Sequence, residues 1–211
     1  SKNGAVSTLN ALQLTPASYI SFLVLYRYYD RRYQALFGNA FSQGSTVQNE
    51  QGVYMGFQLT PIARWKLSVY ADLFRFPWLK YGIDAPSGGQ EYMAQIDYTP
   101  SRNYSAYLRY KYRQKEKNGT FENDNLLKIN TCKQHRIRFQ QVYNFSSPFI
   151  FKTSLDGILF DDPIKKLNKG IMISQSIGWK PTTLPLQIDG YLAWFYTDDY
   201  NSRVSSYEKN I

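Results

Sequence analysis

The sequence holds one histidine, His135, and one cysteine, Cys132. A base built on His135 needs a nucleophile and an acidic orienter within hydrogen-bond reach. Its neighbours Lys133, Gln134, Arg136 and Arg138 supply no acid. His135 reads as a rim residue, and an outer-membrane hydrolase would have to recruit its partners from distant sequence. A single cysteine forms no internal disulfide, and no Cys/His spacing suggests zinc. Asp161-Asp162 and Asp198-Asp199 could offer oxygens to a divalent cation such as calcium. Neither pair sits in a calcium-loop pattern, so both read as solvated loop acids. Gly88-Gly89 reads as a turn without phosphate-loop spacing, and Asn118-Gly119-Thr120 matches a glycosylation acceptor. No cofactor or metal is expected, and the chain reads as non-enzymatic. What remains is basic: 25 Lys and Arg against 16 Asp and Glu give a formal net charge of +9.

Those charges are ordered by position. Side chains on a strand point alternately to opposite faces, so each strand-like run divides by parity. One set reads Ile20, Phe22, Val24, Tyr26, Tyr28, and the same face continues through every second residue, counted from the first named, of Val53–Leu59, Trp65–Leu73, Tyr92–Tyr98 and Tyr104–Tyr112. It goes on through Ile137–Tyr143, Phe149–Leu159, Ile171–Trp179 and Leu186–Tyr196. No charge falls in these nine sets. The opposite parity carries basic Arg27, Lys66, Arg109, Lys111, Arg113, Arg136, Arg138, Lys152 and Lys180. It also carries acidic Asp72, Glu91, Asp97, Asp156 and Asp189.

Short Pro- or Ser/Asn-rich clusters separate the runs at Thr15-Pro16-Ala17-Ser18, Thr60–Arg64, Thr99–Asn103, Phe145–Pro148 and Pro181–Pro185. They alternate with longer polar stretches at Asp30–Gln51, Pro77–Gly89, Gln114–Thr131 and Asp161–Lys169. Short turns alternating with long loops are the pattern of a transmembrane β-barrel meander. Aromatics collect beside the short turns at Tyr19, Trp65, Tyr98, Tyr104, Tyr143, Phe149 and Trp179. A second set, Tyr26, Tyr28, Phe76, Trp78, Tyr110, Tyr112, Trp194 and Tyr196, lies toward the long loops. Two aromatic rows flanking an aliphatic belt are the girdles of a bilayer-spanning barrel.

Composition agrees with this class. Aromatics make up 17% of the 211 residues and charged residues 19%, against about 25% charged in a typical soluble domain. The mean hydropathy is −0.47, and the long uncharged run from Gly4 to Tyr26 is broken by Pro16. No stretch offers the roughly 20 apolar residues that a spanning helix requires. Ser1 opens no signal peptide, which fits a cytosolic chain, a mature one or an excerpt. The alternation places both chain ends on the long-loop side, whereas complete bacterial barrels keep their termini periplasmic. The expectation is an all-β, antiparallel up-and-down barrel with about ten strands visible. The chain, 1–211, reads as one domain, incomplete at both ends, an interior excerpt of a larger barrel.

The segment Phe74-Arg75-Phe76-Pro77-Trp78-Leu79-Lys80-Tyr81-Gly82-Ile83-Asp84-Ala85-Pro86-Ser87-Gly88-Gly89, with Tyr70-Ala71-Asp72 before it and Tyr98-Thr99-Pro100 after it, is the most distinctive stretch. It resembles a family of Bacteroidota outer-membrane proteins whose barrel follows a competence-type helix-hairpin-helix region. The layout of strands and turns extends the resemblance along most of the chain, while specific motifs are confined to about Tyr70–Tyr112. The resemblance implies an outer-membrane location. It carries over no catalytic or DNA-binding residue, because the helix-hairpin-helix part has no counterpart in this sequence.

Four functions follow as expectations. A basic lumen would make the barrel a channel or an uptake or export component that favours anions. Alternatively, the basic and acidic residues pair with one another inside a plugged barrel that docks a partner through its loops or a missing domain. Its partners would then be outer-membrane lipid and a periplasmic or outer-membrane protein. Nucleic acid fits poorly, because a stacking platform needs rings beside cations, and here they fall on opposite faces. The third is the hydrolase built on His135. The fourth, a soluble barrel around an apolar ligand, requires the uncharged face inside and the charges outside.

Overall fold

The computed structural model describes residues 4–34, 40–120, 127–145, 148–164, 167–181 and 185–205. Ser146-Ser147, Thr182–Leu184, parts of the polar stretches and the tail beyond 205 lie outside them. Ten strands form a single sheet whose order is the order of the sequence. They are β1 (Ser7–Ala17), β2 (Ile20–Tyr29), β3 (Glu50–Leu59), β4 (Trp65–Phe76), β5 (Ser87–Ser101), β6 (Tyr104–Thr120), β7 (Leu127–Asn144), β8 (Phe149–Asp161), β9 (Asn168–Trp179) and β10 (Ile188–Thr197). Every neighbouring pair is antiparallel. Among the described residues there is no α-helix, only a single 3-10 turn, η1, at Tyr200–Ser202. β1 and β10 are the two edges, and the sheet is not closed between them.

The expected parity holds across the registers. Arg27 stands opposite Gly52, Asp72 opposite Glu91, Glu91 opposite Arg113, and Arg138 opposite Asp156. On the other face Val24 meets Met55, Val69 meets Ala94, and Leu108 meets Phe139. The two faces differ in burial in the sense opposite to a water-soluble core. Arg27 and Glu50 are completely buried and Asp72 is 1% exposed, whereas Leu12 is 58% and Ile137 52% exposed. An apolar ligand enclosed by the uncharged face would need the reverse arrangement.

Several boundaries differ from the sequence expectation. The Pro clusters at Thr15-Pro16-Ala17 and Thr99-Pro100-Ser101 belong to strands, and the turns are the pairs 18–19 and 102–103 that follow. The register slips between Leu14 and Ala17 and between Tyr98 and Ser101. A bulge is where a strand tolerates a residue without an N–H to donate. The polar stretch Gln114–Thr131 is largely strand, because β6 and β7 stay paired from Tyr104↔Tyr143 to Thr120↔Leu127. Likewise β8 runs to Asp161 and β9 starts at Asn168. The connection 180–187 is thus longer than 162–167, so loop length does not sort cleanly between the two ends.

Gly88-Gly89 is the start of β5 rather than a turn. At Gly89 an added Cβ would lie 2.5 Å from the Phe74 ring and 2.6 Å from the Gln114 carbonyl oxygen. The glycine is required by the ring above it and by the neighbouring backbone. Phe76 also departs from expectation: it shares the charged parity, is 3% exposed and stacks edge-on against Phe74 at 5.8 Å. It belongs to no outward aromatic row. Replacing Gly89 with Ala should destabilise the sheet by about 1–3 kcal/mol through overpacking, measured by urea unfolding in detergent micelles. Gly190→Ala, whose nearest contact would be 3.8 Å, should unfold at the same urea concentration as the parent chain.

Candidate functional site

The charged face is organised around Arg27. Its Nε donates to Glu50 Oε1 at 2.6 Å, and its Nη1 and Nη2 donate to Asp72 at 2.7 and 3.2 Å. Arg27 lies on β2, Glu50 opens β3 and Asp72 is on β4, so the guanidinium must cross β3 to reach both acids. Gly52 makes that crossing possible, because a Cβ there would fall 2.5 Å from Arg27 Cζ. A planar guanidinium meets one carboxylate with two parallel N–H groups and the other with its Nε, a fixed fork geometry that a point-like ammonium lacks.

The connection 30–49 between β2 and β3 returns onto this cluster. Backbone N–H groups of Gln43 and Gly44 donate to Glu50, and Ser42 Oγ donates to its Oε2 at 2.8 Å. Gln43 Nε2 donates to Asp72 Oδ2 at 2.7 Å, while Gln43 Oε1 accepts from Arg113 Nη2 at 2.7 Å. The Gln43 carbonyl accepts from Lys115 Nζ at 3.1 Å. One side chain of this connection therefore ties β4 to β6. Phe41 packs its ring against Tyr54 and under the Arg27 guanidinium, 5.0 Å from its centroid. Asn49, with φ 54°, donates to the carbonyls of Trp78 and Leu79 and accepts from Trp78 N–H. That joins the connection to the next one, 77–86, and asparagine tolerates the left-handed backbone there.

Other charges pair across the face. Lys111 reaches Glu91 at 2.8 Å and Arg113 reaches it at 3.2 Å, while Tyr70 donates to the same carboxylate at 2.6 Å. Arg138 and Arg136 share Asp156, at 2.5 and 3.7 Å. Lys66 and Asp97 are 3.7 Å apart, and Arg109 donates to Gln95. Lys152 lies on the same face, exposed. Asp189 accepts from Gln187, and Lys180 follows β9 rather than lying within it. In the connection 77–86, Lys80 sits 3.3 Å from the Phe76 ring centroid. Burial pushes its ammonium below the usual lysine value against the pull of Glu50, with Arg113 adding to the shift.

On the apolar face the aromatic residues beside the short turns are in contact. Trp65 meets Tyr98 at 4.4 Å, Tyr98 meets Tyr104 at 6.5 Å, and Tyr104 meets Tyr143 at 6.2 Å. Phe145 extends the row to Phe151; it was hidden in sequence because it stands in a turn cluster. Phe149 and Trp179 are register partners on β8 and β9, and Tyr19 lies in the first turn, 52% exposed. Toward the other end Tyr92 stacks on Tyr112 at 6.2 Å, and Tyr112 meets the His135 ring at 5.0 Å. The Tyr110 hydroxyl pairs with His135 Nδ1 at 2.8 Å, so the imidazole stands in an aromatic row on the apolar face.

Of the acid pairs, Asp162 accepts from Ile164 N–H at 3.1 Å, and both members of Asp198-Asp199 have structural partners. Asp198 accepts from Lys169 N–H at 2.8 Å, and the Tyr196 hydroxyl followed by that N–H holds its carboxyl below the usual range. Asp199 caps η1. Among the described residues no group of His, Cys, Asp and Glu is arranged to hold a metal. Comparisons with protein families, curated proteins and solved structures found no match.

Arg27→Met should destabilise the chain by about 3–5 kcal/mol, because two buried carboxylates lose their cation. Lys66→Gln removes a half-exposed pair and should cost at most about 1 kcal/mol. Urea midpoints in the same micelles compare the two.

Proposed function

We propose that this chain forms part of the wall of a β-barrel in the outer membrane of a Gram-negative bacterium, with the charged face toward an aqueous lumen. The observation that carries this reading is the inversion of the faces: ion pairs buried, a broad aliphatic and aromatic face exposed. Water penalises such a face, whereas hydrocarbon is its natural solvent, and sheet pairing satisfies the interior strands within lipid. The rows from Trp65 to Phe151 and around Tyr92, Tyr112 and His135 fit the two interfacial girdles. Among the described residues no helix is long and apolar enough to cross a membrane, a criterion that does not bear on strands.

The role proposed is a channel or an uptake or export component that favours anions. A second reading, a plugged docking barrel, draws support from residues 41–44 and the stretch after β10, both of which lie over the charged face. Neither role assigns a catalytic step to the chain.

Two measurements test these readings. In vesicles of lipid brominated on its acyl chains, fluorescence from Trp65, Trp179 and Trp194 should be quenched; unquenched emission would remove the membrane reading. In planar bilayers, stable anion-preferring conductance steps support the conduit, and a correctly inserted but silent protein supports the plugged barrel.

A further inference from the structure

Past β10 the chain does not leave the sheet. Asp199 caps η1, Ser202 is completely buried, and the Ser202 carbonyl oxygen lies 2.0 Å from where a Cβ on Gly170 would stand. The stretch from Tyr200 to Ser205 is thereby seated on β9 and roofs a cavity of about 410 Å³ over β6, β7 and β8. Five cations line it: Arg113, Lys115 and Lys117 from β6, Arg136 from β7, and Arg203 from the roof. Among the described residues, no carboxylate does.

The pairing on this face leaves those cations short of acid. Glu91 serves Arg113 but also Lys111, and Asp156 is held by Arg138 while Arg136 stands off at 3.7 Å. Lys115 has only the Gln43 carbonyl and the Phe74 ring. Lys117 lies over the Phe160 ring, and Arg203 over Tyr200 at 4.1 Å. Among the described residues, none of these three has a carboxylate partner. Gathering like charges around one cavity is unfavourable unless counter-charge occupies it, and three arginine forks suit oxyanions in particular.

We infer that the cavity between the β6–β8 wall and the Tyr200–Ser205 roof binds a small solute carrying two or more anionic oxygen groups, phosphoryl or carboxyl. Its volume falls within the range of small-molecule sites, roughly 300–1,000 Å³. Bound there, the anion replaces the missing carboxylates for Lys115, Lys117 and Arg203, with Gln134 and Asn201 available as neutral donors. The site deepens the lumen reading and rests on it in one respect: the charged face must be reached by water.

The test is calorimetric titration of the full chain in a zwitterionic detergent with inorganic pyrophosphate and, separately, citrate. Saturable one-to-one binding is expected for at least one of them. Pyrophosphate alone would assign phosphoryl chemistry, and citrate alone carboxyl chemistry. Arg203→Ala, on the roof, and Lys117→Gln, on the wall, should each weaken binding roughly tenfold, since each removes one charge-assisted contact. Lys66→Gln, whose residue lies outside the cavity, should leave it unchanged. No binding of either anion, or an equal loss in all three variants, overturns the proposal, the latter by showing diffuse attraction only. Conductance separates this outcome from the lumen reading: a silent bilayer with intact pyrophosphate binding removes the conduit and keeps the site. Open steps without binding do the reverse.

Discussion

The structure turns on a single guanidinium withdrawn completely from solvent on the charged face of the sheet. Arg27 reaches across β3 only because Gly52 has no side chain, and it arrives between two carboxylates that cannot be buried without it. Charges withdrawn from water are tolerated when geometry and additional hydrogen bonds complete their shells. Here the completion comes from a connection rather than a strand: Ser42, Gln43 and Gly44 fill the remaining valences of Glu50 and Asp72. The cluster therefore fixes β2, β3 and β4 together and at the same time holds residues 41–44 over the charged face. From there Gln43 hands the link to Arg113 and Lys115 on β6.

Strand parity made most of this architecture readable. Charges at alternate positions, from Arg27 through Asp72 and Glu91 to Arg138, report which residues share a face, and the registers bear that out. Parity says nothing about what a connection does once it leaves the sheet. The return of Gln43 onto Asp72, Arg113 and Lys115, and of Ser205 onto Arg138, depends on contacts between residues 29 to 72 positions apart, for which there is no local signal. Arg203 escaped notice for this reason: in sequence it is one more polar residue in a tail. The extended β6–β7 hairpin was equally hidden. Lys115, Lys117 and Asn118 make a polar run whose residues look alike in a loop and in a strand wet on both sides.

Glycine and aromatic residues were misread for a related reason. A Gly-Gly pair signals a turn in most contexts, yet Gly89 stands within β5 and leaves room for the Phe74 ring. Phe76 has the composition of a girdle residue and the parity of the charged face, and parity prevails: its ring is sealed against Phe74 and capped by Lys80. On such a face aromatic rings serve as neutral floors for cations, as Phe160 does for Lys117 and Tyr200 for Arg203. Rings therefore appear on both faces, in rows on one side and beneath ammonium or guanidinium groups on the other.

Every strand pairs only with its neighbours in sequence. A sheet so connected has no crossover to wait for: each new hairpin finds its ladder already in place, so its formation is a run of local closures, a topology associated with rapid ordering. It also makes the hairpin the unit by which such a sheet can widen or narrow. Removing two adjacent strands would bring together two others that run in the right directions to pair, with parity preserved. The exceptions are the hairpins whose side chains are bound by the Arg27 cluster or seated under the Tyr200–Ser205 roof. Those are the parts of the sheet that a change in strand number would have to leave intact.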